Sequence, residues 1–327
     1  MSSKPKLIYY RMLNFQQDNM DLLKENFDVI VLDDPTQDDD IELLDVVVSF
    51  APLGFYFNAE KMDRMPALRI IASNTTSVPH IDEAAAKERG IKVISLREEL
   101  AFLRTITPTA ELTWGLMLTM MRNIPGAFRS VLDGQWSRWP FGAPRMLSRM
   151  TLGLVGIGRI GEIVARYGVA FGMPVYYYDP YVEIPPVEGV SKVDSLEELV
   201  SLSDVVSLHL HLTDETRNLF NAALFDKFRE GSYLINTSRG AIVETAAMLA
   251  ALESGRLAGA AIDVLDDEFE QGFNKSVKEH PLVRYAATHD NLVITPHIAG
   301  STVDAWHLTQ KHTIKRALEE LAKMEVA

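Results

Sequence analysis

The chain has 327 residues, enough for two domains of ordinary size, and its 47% hydrophobic and 24% charged residues describe a soluble globular protein with ample core material. A formal net charge of −13 sets up a field that repels nucleic acid and anionic membrane surfaces alike. There is no cysteine, so disulfides, thiolate metal sites and a cysteine nucleophile are excluded.

The acids are spread through the chain apart from a cluster at Asp33 to Glu42, within which Asp38-Asp39-Asp40 reads as a solvated helix start. The N-terminal stretch MSSKPKLIYYRML has neither the apolar run nor the cleavage site of a secretory leader, and no apolar run reaches membrane-spanning length. A cytoplasmic location is the expectation.

Lys6–Tyr10 reads as a short apolar strand, followed by a helix-like stretch around Met20–Asn26. Val29–Leu32, Val46–Phe50 and Leu68–Ala72 read as buried strands. Ile81–Arg89 reads as a helix stopped by Gly90, and Ile91–Ile94 as a further strand. This alternation predicts a small parallel α/β unit before residue 100. Thr107–Leu132 reads as one long helix connecting that unit to the next, with Pro108 in its first turn and Leu112, Leu116, Thr119 and Met120 on one face. A polar, proline-bearing stretch follows from Asp133 to Arg149, in which Trp136 and Trp139 are expected to pack in a core.

From Thr151 to Asp179 the pattern becomes specific. The apolar run Leu152–Val155 leads into Gly156, Gly158 and Gly161, a G-x-G-x-x-G. Ile160, Ile163, Val164 and Tyr167 then repeat at helical spacing, and a second apolar run, Val175–Tyr178, ends on Asp179. Strand, glycine turn, helix, strand and an acid about 20 residues on form the βαβ dinucleotide fingerprint. Gly156 takes the tight turn, Gly158 lets a pyrophosphate approach the backbone, and Gly161 lets the helix lie close on the sheet. The helix N-terminus offers its free N–H groups to the phosphates. Asp179 accepts from the ribose hydroxyls and repels a 2′-phosphate, which predicts NAD(H) in preference to NADP(H).

Beyond Asp179, Val205–Leu210, Tyr233–Asn236, Ala260–Val264 and Leu292–Thr295 read as strands, with Ala246–Glu253 a helix among them. A six-stranded doubly wound sheet is the expectation. The last helical stretch, Thr302–Met324, has no strand after it and is expected to return to the first domain, making that domain discontinuous.

Three stretches at strand ends carry polar or charged groups: Asn236-Thr237-Ser238-Arg239-Gly240, Asp263-Val264-Leu265-Asp266-Asp267-Glu268 and Thr295-Pro296-His297-Ile298-Ala299-Gly300. In an open α/β sheet the carboxyl ends of the strands border the ligand crevice. With the glycine motif, N-T-S-R-G, D-V-x-x-x-E and T-P-H-I-A-G occur in the order seen in D-isomer-specific 2-hydroxyacid dehydrogenases, which this chain resembles closely over most of residues 105–310 and loosely before them. The resemblance implies a Rossmann NAD-binding domain at 105–297. It also implies a smaller, discontinuous flavodoxin-like α/β substrate domain at 1–104 and 298–327.

It further implies that Arg239 binds the substrate, that His297 is the acid/base and that Glu268 is its acidic partner. Arg159, Ile160, His209, Thr216, Thr237, Asp263 and Gly300 would line the cofactor, with Asp263 near the nicotinamide carboxamide. Glu268 lies five residues after Asp263, as in the family pattern, although Phe269 stands where many relatives have proline. The residue types suit the chemistry. The planar fork of Arg239 matches the carboxylate and carbonyl of a 2-keto acid. His297 supplies the proton as hydride reaches the keto carbon, and an ionised Glu268 orients the ring.

Relatives bind the substrate carboxylate through a glycine-containing loop of the first domain. The loop here, Ser73 to Pro79, has no glycine, so Asn74, Thr75 and Thr76 either bind a polar substrate or serve the loop's own turns. Arg97–Arg104 also departs from the usual short connection. His209 and His211 lack an evident third ligand, and no metal is expected. The expected function is NAD(H)-dependent interconversion of a D-2-hydroxyacid and a 2-keto acid such as glyoxylate, hydroxypyruvate or pyruvate, in a homodimer.

Two other readings share the fold. One is oxidation of an unusual donor such as formate or phosphite, disfavoured by glutamate at 268 and by the lack of a lysine in the 73–79 loop. The other is an NAD(H)-sensing, corepressor-like interaction protein, which the same triad does not exclude.

Overall fold

Parallel strands cannot be joined by tight turns, so each successive apolar run here is separated by a helix or a long connection. In the computed structural model, which describes residues 4–40, 43–270 and 272–326, these runs form two sheets, parallel at every pairing. Residues 1–3 of the N-terminal stretch and 41–42 at the end of the acidic cluster lie outside the described residues. The chain divides into two units, Met1–Ile106 with Ser301–Ala327, and Thr107–Gly300.

The first unit holds β1 (Lys6–Tyr10), β2 (Asp28–Leu32), β3 (Val46–Phe50), β4 (Ile70–Ala72) and β5 (Lys92–Ile94) in the order β2-β1-β3-β4-β5. That is the flavodoxin-like order. The C-terminal helix Val303–Val326 belongs to this unit, where its Ile314 and Ala317 are buried with Leu7, Val48 and Ile70 on one face of the sheet. The Arg97–Arg104 segment contains a short helix, Leu100–Leu103, held on that long helix. Glu99 meets His312 Nε2 at 3.0 Å and Arg316 Nε at 2.8 Å, and the Phe102 ring stacks on His312 at 4.0 Å.

The acidic run reads differently in three dimensions. Asp38, expected to be solvated, is fully buried. Its carboxylate accepts from the Tyr10 hydroxyl at 2.6 Å and pairs with Lys61 Nζ at 2.6 Å and Arg64 Nη1 at 3.4 Å. Two cations and a phenol from distant stretches offset the cost of taking the charge out of water. Burial and the neighbouring carboxylate push the Tyr10 phenol well above its ordinary pKa, so it remains a donor.

The second unit holds β6 (Leu152–Val155), β7 (Val175–Tyr178), β8 (Val190–Lys192), β9 (Val205–Leu208), β10 (Ser232–Asn236), β11 (Leu257–Ile262) and β12 (Leu292–Ile294), in the order β12-β11-β10-β9-β6-β7-β8. The sheet has seven strands where six were expected; β8 is a three-residue edge strand, V-S-K, too short and too polar to give an apolar run. The strand order reverses between β6 and β9, the switch point at which doubly wound folds bind ligands.

The expected single helix at 107–132 is two. Pro108–Met121 ends before Asn123, which takes a left-handed conformation (φ 46°), and Ile124–Leu132 starts afresh with Pro125 in its first turn. Asparagine tolerates that conformation and proline suits a helix start, so Asn-Ile-Pro breaks the helix where the apolar pattern alone would continue it. The first of these helices is buried on most of its surface, its Trp114 ring stacked on Phe171 at 4.5 Å. Trp136 and Trp139, expected in a core, are 91% and 77% exposed.

Candidate active site

Strand register lines up the site. Tyr178, Val155, Leu208, Asn236, Ile262 and Ile294 are paired neighbours across six adjacent strands. The residues one step beyond this row are Asp179, Gly156, His209, Thr237, Asp263 and Thr295. The motifs picked out along the chain therefore converge on one edge of one sheet.

At the switch point, Gly156 has φ +87°, and a Cβ there would come within 2.6 Å of the His209 carbonyl oxygen. A Cβ on Gly161 would meet the Gly156 carbonyl oxygen at 2.3 Å, so the helix Arg159–Ala170 approaches the turn more closely than any side chain allows. Gly158 caps this helix without a side-chain bond and has no atom within 4 Å of where its Cβ would stand. Open space at an uncapped, 12-residue helix N-terminus fits the diphosphate of a dinucleotide. Arg159 and Ile160 form the first turn, and burial pulls the Arg159 guanidinium below its ordinary pKa. Asp179 accepts from Ile157 N at 3.0 Å and from Tyr181 N at 2.9 Å, which orients its carboxylate beside the glycine turn.

His209 follows β9 with Nε2 3.0 Å from Ser207 Oγ, and burial pushes its pKa down to about 3, so the ring is neutral at physiological pH. Thr216 lies farther along the same connection, donating to the His211 carbonyl at 2.7 Å. No group of three potential metal ligands gathers among the described residues.

The Arg239 loop is shaped by Asn236, the first residue of the N-T-S-R-G stretch, to which the sequence alone assigns no role. Its Oδ1 accepts from Ser238 N at 2.9 Å and its Nδ2 donates to Arg239 O at 3.0 Å. An asparagine bonding the backbone two residues on is a turn signal that N-T-S-R-G carries openly. Thr237 and Thr113 share a hydroxyl contact of 2.8 Å, which ties the loop to the buried helix Pro108–Met121. Arg239 Nη1 donates to Ser238 O at 2.6 Å. Burial holds the Arg239 guanidinium below its ordinary pKa, and the charge of Glu268 opposes part of that shift.

His297 and Glu268 come together. Nδ1 of the imidazole is 2.8 Å from Glu268 Oε1, with the carboxylate side chain 13% exposed and the imidazole 36%. This leaves Nε2 as the ring nitrogen that Glu268 does not engage. Both stretches reach this pairing through left-handed backbone at non-glycine residues, Asp267 (φ 58°) and His297 (φ 51°). The Phe269 ring lies tilted beside the imidazole, 5.5 Å between centroids. Asp263 is fully buried and bonded to the His297 loop, and Gly300 closes the stretch in open space.

In the first unit, the loop after β4 spends part of its polarity on itself. Ser73 Oγ is 2.8 Å from Thr75 Oγ1, which donates to Ser77 O at 2.7 Å. Of the three residues expected to meet substrate, Thr75 thus has its hydroxyl engaged in the loop's own turn, Asn74 is half-buried and Thr76 is exposed.

The family described as D-isomer specific 2-hydroxyacid dehydrogenase, NAD binding domain, matches residues 114–299. A glyoxylate reductase from Thermofilum pendens is 33% identical over 93% of this chain and 87% of its own length. A D-3-phosphoglycerate dehydrogenase from Methanocaldococcus jannaschii is 32% identical over 88% of this chain, which spans only 52% of that longer enzyme. The crystal structure of D-lactate dehydrogenase from Aquifex aeolicus, complexed with NAD and lactic acid, superposes with a TM-score of 0.79 over 98% of this chain and 96% of that one, at 28% identity. The chain belongs to the D-isomer-specific 2-hydroxyacid dehydrogenase family of NAD-dependent oxidoreductases.

Proposed function

We propose that this protein interconverts a small D-2-hydroxyacid and the corresponding 2-keto acid, with Arg239 as the substrate-binding cation, His297 as acid/base and Glu268 as its partner. In this reading Thr107–Gly300 is the NAD-binding domain and the remainder is the substrate domain. The observation that carries it is the 2.8 Å contact between His297 Nδ1 and Glu268 Oε1, near the half-buried Arg239. When bound, the nicotinamide supplies or accepts the hydride. The chain's own groups do the rest. The Arg239 guanidinium binds the carboxylate and polarises the adjacent carbonyl. Nε2 of His297 gives a proton to the carbonyl oxygen in reduction and takes it from the hydroxyl in oxidation. Glu268 fixes the ring's tautomer through Nδ1 and stabilises the imidazolium.

Asp179 at the tip of β7 supports a preference for NAD(H), because a 2′-phosphate would meet its carboxylate. Asn74 and Thr76 are the loop side chains proposed to select the substrate. A panel of glyoxylate, hydroxypyruvate, pyruvate and longer keto acids, run with each reduced cofactor, tests the proposal. Turnover is expected with several of the small acids and faster with NADH than with NADPH. Binding of NADH without turnover of any keto acid would favour the sensor reading instead.

A homodimer is proposed on a separate observation. Along the helix Ile124–Leu132, Ile124, Phe128, Val131 and Leu132 fall at helical spacing and all are exposed, Phe128 at 64% and Leu132 at 69%, and the exposed Trp136 follows. A contiguous apolar stripe of this kind is a surface for association. The Phe128→Ser/Trp136→Ser double variant is expected to elute as a monomer in size-exclusion chromatography with light scattering at concentrations where the unaltered chain is dimeric. An unaltered chain that is itself monomeric would count against the dimer.

A further inference from the structure

One buried residue makes more bonds to the His297 stretch than any function assigned so far requires. Asp263, just past β11, is completely inaccessible. Its carboxyl Oδ1 accepts from Thr295 Oγ1 at 2.5 Å and from Ile298 N at 3.0 Å, and Oδ2 accepts from Ala299 N at 2.7 Å. Its own carbonyl oxygen accepts from His297 N at 2.8 Å, while its N–H donates to Asn236 O at 2.9 Å. Asp263 therefore grips the chain before, at and after His297, and joins that stretch to the end of β10.

His297 needs such a grip. Its backbone is left-handed (φ 51°), a region that few non-glycine residues enter and that is held best where the surroundings support it. A peptide relaxed to ordinary φ would swing the imidazole away from Glu268, whose oxygen it now meets at 2.8 Å. We infer that Asp263 is a positioning residue for the proposed acid/base: by binding both flanks of His297 it holds the strained backbone from which Nδ1 meets Glu268 and Nε2 is left for the substrate. This rests on the role proposed for His297 and assigns Asp263 a task distinct from cofactor contact.

Asparagine cannot do the same. With its single carbonyl oxygen toward Thr295 and Ile298, its NH₂ opposes the N–H of Ala299; turned over, it loses Ile298. Aspartate alone accepts from both backbone groups at once.

The test compares the full-length protein with Asp263→Asn, Thr295→Val and Thr295→Ser. Asp263→Asn is expected to lower kcat by about 100-fold, the loss that a displacement of roughly 1 Å at a reacting group brings, with KM for the keto acid and the NADH dissociation constant near their original values. Thr295→Val gives a smaller fall in kcat, and Thr295→Ser, which keeps the hydroxyl, recovers it. In the cofactor-free protein, the amide signals of Ile298 and Ala299 shift and exchange with solvent faster in Asp263→Asn, a readout independent of turnover.

Unchanged amide signals and kcat, with only a weakened NADH affinity, would make Asp263 a cofactor contact and overturn the inference. If Asp263→Asn does not fold, equal kcat in Thr295→Val and Thr295→Ser overturns it. If the unaltered protein reduces no keto acid, the functional proposal fails, and the amide signals alone decide whether Asp263 anchors the stretch.

Discussion

Replacing His297 with asparagine lowers kcat for keto-acid reduction by about 10²–10⁴-fold, the usual contribution of a positioned general acid, and leaves KM and NADH affinity little changed. Asparagine is chosen on structural grounds. His297 sits at φ 51°, and asparagine is among the few residues that tolerate this conformation, whereas alanine would add backbone strain to the loss of the ring. The measured fall then reports the imidazole itself. Steady-state kinetics with the keto acid found best in the panel, together with NADH fluorescence titration, decide the point. A rise in KM with kcat retained would mean that His297 binds the substrate and transfers no proton to it. Glu268→Gln keeps an acceptor 2.8 Å from Nδ1 but removes the charge, so its effect is expected to lie between those of the unaltered protein and His297→Asn.

The parts of this site that could be read along the chain are those whose cause is local. Gly156, Gly158 and Gly161 announce a turn and a bare helix end because their spacing is itself the structure. Arg239 and His297 follow apolar runs, and the strand row from Tyr178 to Ile294 carries them to one edge. What escaped reading depends on partners far away in sequence. Asp38 looks like a solvated acid until Lys61 and Arg64, over twenty residues on, fold onto it. Asp263 looks like one more pocket residue until Thr295, Ile298 and Ala299 close over its carboxyl group. Asn-Ile-Pro carries the break at Asn123, while the apolar periodicity on either side of it continues the pattern of a single helix. Trp136 and Trp139 are expected in a core because large aromatics usually are, yet both stand exposed.

Substituting Arg239 with alanine lowers kcat/KM for the keto acid by about 30- to 4,000-fold, corresponding to the 2–5 kcal/mol lost when one partner of a buried, hydrogen-bonded charge pair is truncated. Most of the loss is expected in KM, in contrast to His297→Asn. The physical reason lies in the environment. Partial burial makes the guanidinium costlier to hold charged and the charge of Glu268 offsets part of that cost, so an arriving carboxylate meets a cation that is already partly stripped of water. A carboxylate arriving there displaces little water and gains a bidentate contact. Lysine at 239 keeps the charge but presents a point donor on a flexible stem, so Arg239→Lys recovers only a minor part of the affinity. NADH dissociation constants and thermal midpoints measured alongside separate this from a general loss of structure. Small and equal effects from Arg239→Ala and His297→Asn would contradict the division of labour, since binding an anion and moving a proton draw on different steps of the same reaction.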